Sequence, residues 1–271
     1  MNNTSQKQIF FHVGTGKTGT TFLQYRVFPK LRNIYYIQRT RYKKVKEIIA
    51  KTEAQKILIS REFDQQLEKE IRWFTESYPD TTPIIVFRRH DSYIASQYRR
   101  FVKNGFSGTF SEFFDLKSDK GYFKHSDLDY SHQVELLKKY FTKEPVVLLY
   151  DDLRNNPKDF IVKLTKLVDA EVDVDSVDFG RKHTSYSEKQ LKVIRSISKS
   201  VNLTKRRKFK SGFLHFFWKL GFGAIRYSLL FLARFIPHRF VNSEPFIDPK
   251  ELESVKAHFS RDWDEIKKIS S

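Results

Sequence analysis

Five short apolar runs punctuate the first 150 residues: 9–13 (IFFHV), 34–37 (IYYI), 56–60 (KILIS), 83–87 (PIIVF) and 145–150 (PVVLLY). Runs of this length without polar alternation are the pattern of strands buried on both faces. Between them apolar positions recur at helical spacing. Helices are predicted to open near Thr18, ahead of Phe22 and Leu23, and to cover 42–51, with Val45, Ile48 and Ile49 inward. Others are predicted over 64–78, from His90 or Asp91 onward, and over 130–141 and 157–168. Strands alternating with helices predict an α/β fold with a parallel sheet, in which ligands sit at the carboxyl ends of the strands.

The remaining segments are patterned differently. Residues 105–130 are rich in Phe, Ser, Gly and Lys without clear periodicity and read as a partly loop-like lid. The stretch 179–190 (FGRKHTSYSEKQ) enters a helix through Ser185 and Ser187, with Glu188 and Gln190 as first-turn capping partners. Residues 212–236 are almost continuously apolar, interrupted by Lys219, Arg226 and Arg234, which with His215 fall on one narrow helical stripe and argue against a membrane span. Pro237 should end that element. A last amphipathic helix is predicted over 248–269, with Leu252, Val255, Phe259, Trp263 and Ile266 on one face.

Composition narrows the classes. With 271 residues the chain can bury one sizeable core, so a single domain is expected, carrying a basic apolar helical insertion at about 205–240. A formal net charge of +18 calls for an anionic partner: nucleic acid, an acidic membrane surface or a polyanionic cofactor. Cysteine is absent, so disulfides and thiolate metal sites are excluded, and a reducing cytoplasm or a stability strategy indifferent to redox is expected. The opening residues lack the charged and apolar regions of a signal peptide and read as the approach to the first strand.

Candidate chemistry concentrates where the first strand ends. The stretch 8–25 (QIFFHVGTGKTGTTFLQY) reads as strand, glycine-rich turn and helix. Backbone N–H groups in such a turn converge on one point, Gly16 and Gly19 admit close approach, and Lys17 adds a full positive charge. Thr15, Thr18, Thr20 and Thr21 surround them. The nucleotide triphosphate loop ending on Gly16, Lys17 and Thr18 would need glycine at position 11, where Phe11 stands, which disfavours a small-molecule kinase. On the same edge the second buried strand after it delivers Arg88 and Arg89, with Ser96 eight positions beyond Arg88, while Glu62 follows the 56–60 run. The bland alternative for the arginines is neutralisation of surface carboxylates.

The loop closely resembles the one by which sulfotransferases hold the 5′-phosphosulfate of 3′-phosphoadenosine 5′-phosphosulfate (PAPS). The Arg88-to-Ser96 spacing is similar to that by which the family holds the 3′-phosphate, and VLLYDDLRNNPKDFI resembles its late strand, acidic pair and helix. Related bacterial enzymes carry Asn-x-Ser-x-Ser where this chain has His183 to Ser187, so the asparagine is replaced by histidine; Arg181 and Lys182 remain within reach of a 3′-phosphate. The resemblance covers most of 8–200. It implies a P-loop-like three-layer sandwich with a central parallel sheet of about five strands and helices on both faces, no metal, and adenosine 3′,5′-bisphosphate as product. It further implies a bacterial-type or Golgi-type carbohydrate sulfotransferase, with the phosphosulfate held by 15–21 and Lys17 at the leaving phosphate.

A general base must take the acceptor's proton. Glu62 is the first choice, since no carboxylate precedes Glu47 and related bacterial enzymes carry Ser-x-Glu at this place; His12, His90, His125 and His132 are alternatives, as is a purely orienting role for Glu62 beside Arg61, Arg88 or Arg89. Asp151 and Asp152 are expected to cap a helix or pair with arginine. A glycan or glycolipid acceptor follows from the resemblance, and aromatic residues of the lid could stack on its sugar rings. The rival class is a membrane- or nucleic-acid-binding protein whose basic surface is its whole function; with PAPS as partner, nucleic acid is not expected. The cluster Lys205, Arg206, Arg207, Lys208 and Lys210 before the apolar run suits an anionic membrane surface, whereas a hairpin broken at Gly221 and Gly223 would make the run a cover for the sheet or a partner subunit.

Overall fold

The computed structural model describes residues 7–180, 186–204 and 209–271. Five strands form, β1 (Gln8–Gly14), β2 (Tyr35–Ile37), β3 (Lys56–Ser60), β4 (Thr81–Phe87) and β5 (Val146–Leu149), in the order β2-β3-β1-β4-β5 with every neighbouring pair parallel. The α-helices in chain order are α1 (Thr20–Phe22), α2 (Val45–Lys51), α3 (Leu67–Thr75), α4 (His90–Lys103), α5 (Phe110–Phe113), α6 (Tyr130–Tyr140), α7 (Tyr150–Asn155), α8 (Pro157–Leu167), α9 (Glu188–Ser200), α10 (Gly212–Leu232), α11 (Pro249–His258) and α12 (Ser260–Ile269). The fold class is α/β, with a five-stranded parallel sheet flanked by helices. Two compact units divide the chain: Met1–Arg89 with Ser126–Gly180 and Phe259–Ser271, and His90–His125 with Arg181–His258.

The first unit is the sheet sandwich. Successive β1 residues point to opposite faces, so Phe11 and Val13 enter a core with α2, α3, α6 and α12 through residues such as Val45, Phe74, Leu137 and Ile266. Phe10 faces the other way, toward Leu23, Val27 and Phe28 and toward Phe160 and Leu164 of α8. Phe11, which displaces the triphosphate-loop glycine, is wholly buried. Several helices start differently from their sequence pattern. The one predicted from Thr18 begins at Thr20 and continues through a wide and then a tight turn to residue 30, and α2 is preceded by a tight 3₁₀ stretch, Arg39–Lys44. The helix predicted over 248–269 breaks at Phe259 into α11 and α12. Asp262 explains where α12 is fixed: its carboxylate accepts the amides of Tyr130 (3.2 Å) and Ser131 (2.9 Å), satisfying orphan donors at the start of α6. An apolar spacing alone does not register such an anchor.

The second unit is helical and rich in aromatic contacts. In the segment read as a partly loop-like lid the aromatic residues supply core: Phe110, Phe113, Phe114 and Phe123 are buried, and Phe113 meets Tyr98, Phe101 and Phe106. A capping box, Thr109 with Glu112, opens α5. The expected cap of α9 forms, with Ser187 and Gln190 satisfying each other's amides.

The apolar run takes the helical course and not the alternative hairpin. It is one continuous helix, α10, passing through Gly221 and Gly223 without a hairpin break, since isolated glycine weakens a helix by only about 1 kcal/mol. Among the described residues no helix is long and apolar enough to cross a membrane. The charged stripe does not face outward together: Lys219 and Arg234 are exposed, His215 is half-buried, and Arg226 is fully buried. The α9 start grips the far end of α10, with Gln190 Nε2 donating to Leu230 O (2.8 Å) and Lys189 Nζ donating to Arg234 O (2.8 Å). All three Arg226 guanidinium nitrogens lack a hydrogen-bond partner among the described residues. A buried charge left without a partner is strongly destabilising. Replacing it with a similar apolar volume, Arg226→Met, should therefore raise stability by about 1–4 kcal/mol in urea unfolding; a loss would mean that the guanidinium has a counter-charge.

Candidate functional site

The site is built where β1 stops. Gly14 has φ 139°, and a Cβ there would lie 3.0 Å from Phe63 O and 3.2 Å from Phe63 N. Only glycine lets residues 61–63 run against the strand end, where Arg61 N donates to His12 O (3.0 Å) and Phe63 N to Val13 O (2.8 Å). The glycine-rich turn then closes over β4. Thr15 donates its amide (3.1 Å) and its hydroxyl (3.2 Å) to Val86 O, and Thr18 Oγ1 donates to Thr15 O (2.6 Å). Both hydroxyl protons and the Thr15 amide are thereby committed to carbonyls of β4 and of the loop itself. Gly19 has φ 79° and accepts from Phe22 N (2.9 Å) and Leu23 N (3.1 Å), which starts the helix. Thr20 is buried, Thr21 exposed, and Gly16 buried, while Lys17 is half-buried with φ 67°.

Arg88, at the end of β4, is brought to this loop: its Nη1 donates to Lys17 O (3.1 Å), and its guanidinium stands 4.7 Å from the centre of the Tyr150 ring. Tyr130 donates its hydroxyl to Arg88 O (2.9 Å) while its ring stacks on Phe87 at 4.3 Å, fixing the strand end. Burial lowers the Arg88 pKa from its ordinary value, opposed by the neighbouring Tyr150 and Asp151. Asp151 and Asp152 lie in the first turn of α7, where the helix end favours negative charge.

Glu62 lies on the same edge of the sheet, because β3 is the parallel neighbour of β1 and ends beside it. Its carboxylate accepts from Gln24 Nε2 (2.8 Å) and forms an ion pair with Arg39 Nη1 (3.1 Å). Arg39, rather than Arg61, Arg88 or Arg89, is thus the cation that the structure pairs with Glu62. Each carboxylate oxygen retains a second lone pair. Gln24 Nε2 also donates to Ser60 Oγ (3.0 Å), which lies 2.8 Å from His12 Nδ1. A polar line therefore runs from His12 under the loop to the rim. His12 is held down to about 4 by burial, so it is neutral at physiological pH.

Three contributors escaped the sequence reading. Arg39 sits just beyond β2, at the strand end whose counterpart nominated Glu62, and the same rule would have found it. Asp64 accepts the Gly16 amide at 3.0 Å, a carboxylate oxygen on the loop itself; the periodic pattern had assigned it to a helix. Gln24 carries no sequence signal. Of the remaining candidates, Ser96 is half-buried on α4 in the second unit, and Arg181 and Lys182 lie outside the described residues. Among the alternative bases, His90 is buried at the start of α4, His125 approaches Asp115 O (3.2 Å), and the His132 amide is capped by Asp129.

No protein-family model matches the chain, and no curated protein matches it in sequence. Among solved structures, the crystal structure of a sulfotransferase from Alicyclobacillus acidocaldarius is similar with a TM-score of 0.52 at 15% identity, over 72% of this chain and 93% of that one. The likeness shows a shared fold: this chain has the P-loop-like α/β architecture of that sulfotransferase.

The His12 environment has a measurable consequence. Its folded pKa lies below the ordinary histidine value of 6.5, so the unfolded chain takes up a proton that the folded chain refuses as pH falls from 6.5 toward 4. Stability should fall by about 3 kcal/mol across that window and level off below it. In His12→Asn, which keeps a group able to meet Ser60, denaturation at stepped pH should show this part of the slope removed.

Proposed function

We propose that the chain is a PAPS-dependent sulfotransferase that moves a sulfuryl group to a hydroxyl or amine of a glycan or glycolipid. The observation that carries this reading is the Arg88 contact with Lys17: the neighbouring strand ties an arginine to a glycine-rich loop that already bears a lysine. The Asp64 oxygen on the Gly16 amide supports the fit, since it demonstrates a loop donor directed at an anion. When bound, PAPS supplies the sulfuryl group and a phosphate leaving group. The amides of 17–21 and the Lys17 ammonium would hold the 5′-phosphosulfate, and Arg88 would offer a guanidinium fork to the 3′-phosphate. Glu62 takes the proton of the acceptor hydroxyl on a carboxylate oxygen, oriented by Gln24 and Arg39.

Calorimetry with adenosine 3′,5′-bisphosphate tests the binding half. Lys17→Ala and Arg88→Ala should each weaken it roughly 10- to 100-fold, the worth of a charged hydrogen bond. ATP should bind weakly; equal affinity for AMP and the bisphosphate would remove the role given to Arg88. Incubation with labelled PAPS and panels of glycans, glycolipids and phenols tests the transfer itself. In the acceptor reaction so identified, Glu62→Gln should retain nucleotide affinity and lose turnover by about 100-fold or more, and undiminished turnover would pass the base to another residue.

A further inference from the structure

Helix α10 is turned inside out relative to a water-soluble helix. Its inward line runs through His215, Trp218, Phe222, Arg226 and Leu230, so its fully buried cation points toward the protein. Its outward face carries Phe213, Phe216, Phe217, Leu220, Tyr227 and Phe231, all exposed in the whole chain, Phe213 at 71% and Phe231 at 58%. These positions lie at spacings of three, four and seven residues from one another and share one helix face. Of the eighteen large apolar side chains exposed among the described residues, twelve lie between positions 209 and 240. Scattered exposed apolar residues are ordinary, but a contiguous aromatic face of this kind marks an interaction surface.

Charge selects what covers it. No Asp or Glu occurs between positions 189 and 243, and Lys210, Lys219, Arg234 and Arg239 are exposed along or beside the helix. A second copy docked face to face would bring two such basic, acid-free segments together, which like-charge repulsion opposes. A bilayer with anionic headgroups supplies both an apolar layer for the rings and negative charge for the flanking cations. The helix does not meet the requirement for crossing a membrane. We infer that α10 is an interfacial membrane anchor, lying in the plane of an anionic lipid surface with its Phe213-to-Phe231 face among the acyl chains. The inference is independent of the chemistry assigned to the β1 loop and stands or falls separately.

Flotation of the full chain with vesicles tests it. Wild-type protein should rise with phosphatidylcholine vesicles containing phosphatidylserine, rise less with phosphatidylcholine alone, and be partly released by high salt. The triple variant Phe213→Ser, Phe217→Ser, Phe231→Ser should reduce vesicle affinity at least about tenfold, with circular dichroism, melting and bisphosphate binding unchanged. Phe217→Trp, which sets an indole on the outward face, should show quenching by brominated lipid beyond that of the wild type, a readout independent of the triple variant. Failure to bind vesicles of either composition would overturn the inference. So would a stable dimer that ignores vesicles and is dispersed by the triple variant, which would make the second copy the occupant. A triple variant that melts early, with no added lipid quenching in Phe217→Trp, would show the face to be internal packing and overturn it as well.

Discussion

The approach of residues 61–63 to the end of β1 is the constraint on which the site depends. Two backbone hydrogen bonds extend the β1–β3 pairing past the strand ends, and Gly14 is the position where a side chain would collide with the incoming Phe63 backbone. Because successive residues then alternate around that closure, Glu62 comes to the rim while Phe63 packs in the core, and Asp64 reaches the Gly16 amide. On the other flank Thr15 bonds Val86 and Arg88 bonds Lys17, so the loop is held by both of the strands that neighbour β1. A loop fixed from two sides offers its amides in a preset geometry. That preorganisation is what charge stabilisation of a transferring group requires.

The polar line beneath the rim has a cost and a use. His12, Ser60 and Gln24 are buried, and His12 Nε2 and Gln24 Oε1 have no hydrogen-bond partner among the described residues. Unmet buried polar atoms destabilise by roughly 1–3 kcal/mol each, so an apolar filling would be the more stable choice at this place. What the line provides is orientation: Gln24 holds Glu62 and Ser60 with one amide nitrogen, and Arg39 holds the other carboxylate oxygen. A carboxylate whose rotation is fixed by neighbours that are themselves fixed presents its remaining lone pairs in a defined direction.

The strands were legible because burial on both faces leaves an uninterrupted apolar signature; all five runs become strands, and 56–60 coincides with β3. The α9 cap was legible because a capping box is local chemistry. What was not legible depends on contacts distant in sequence. Nothing near Asp262 reports that its carboxylate will terminate the start of α6, so one amphipathic pattern became two helices. The aromatic residues of 105–130 left both a core and a sugar-stacking role open, because a linear string does not separate the two; their burial against Tyr98 and Phe101 does. Arg39 was missed for a different reason, since the strand-end rule applied to β3 and β4 was not applied to β2.

Helix α10 shows why a correct pattern can still be placed on the wrong side. The spacing of His215, Lys219, Arg226 and Arg234 does define a stripe, and a stripe of charge normally faces water. Here the grip of Gln190 on Leu230 O and of Lys189 on Arg234 O fixes the rotation of the helix end, and Arg226 turns inward. The result inverts both preferences at once: a guanidinium loses its water and a row of phenylalanines keeps theirs. The Tyr227 ring, 5.3 Å from the guanidinium, is a weak substitute for hydrogen-bond partners, and local rules broken in one element mark a functional or strained place. Rotating the helix would hydrate Arg226 and bury the rings, so the grip at its end must work against water as the sole solvent of α10.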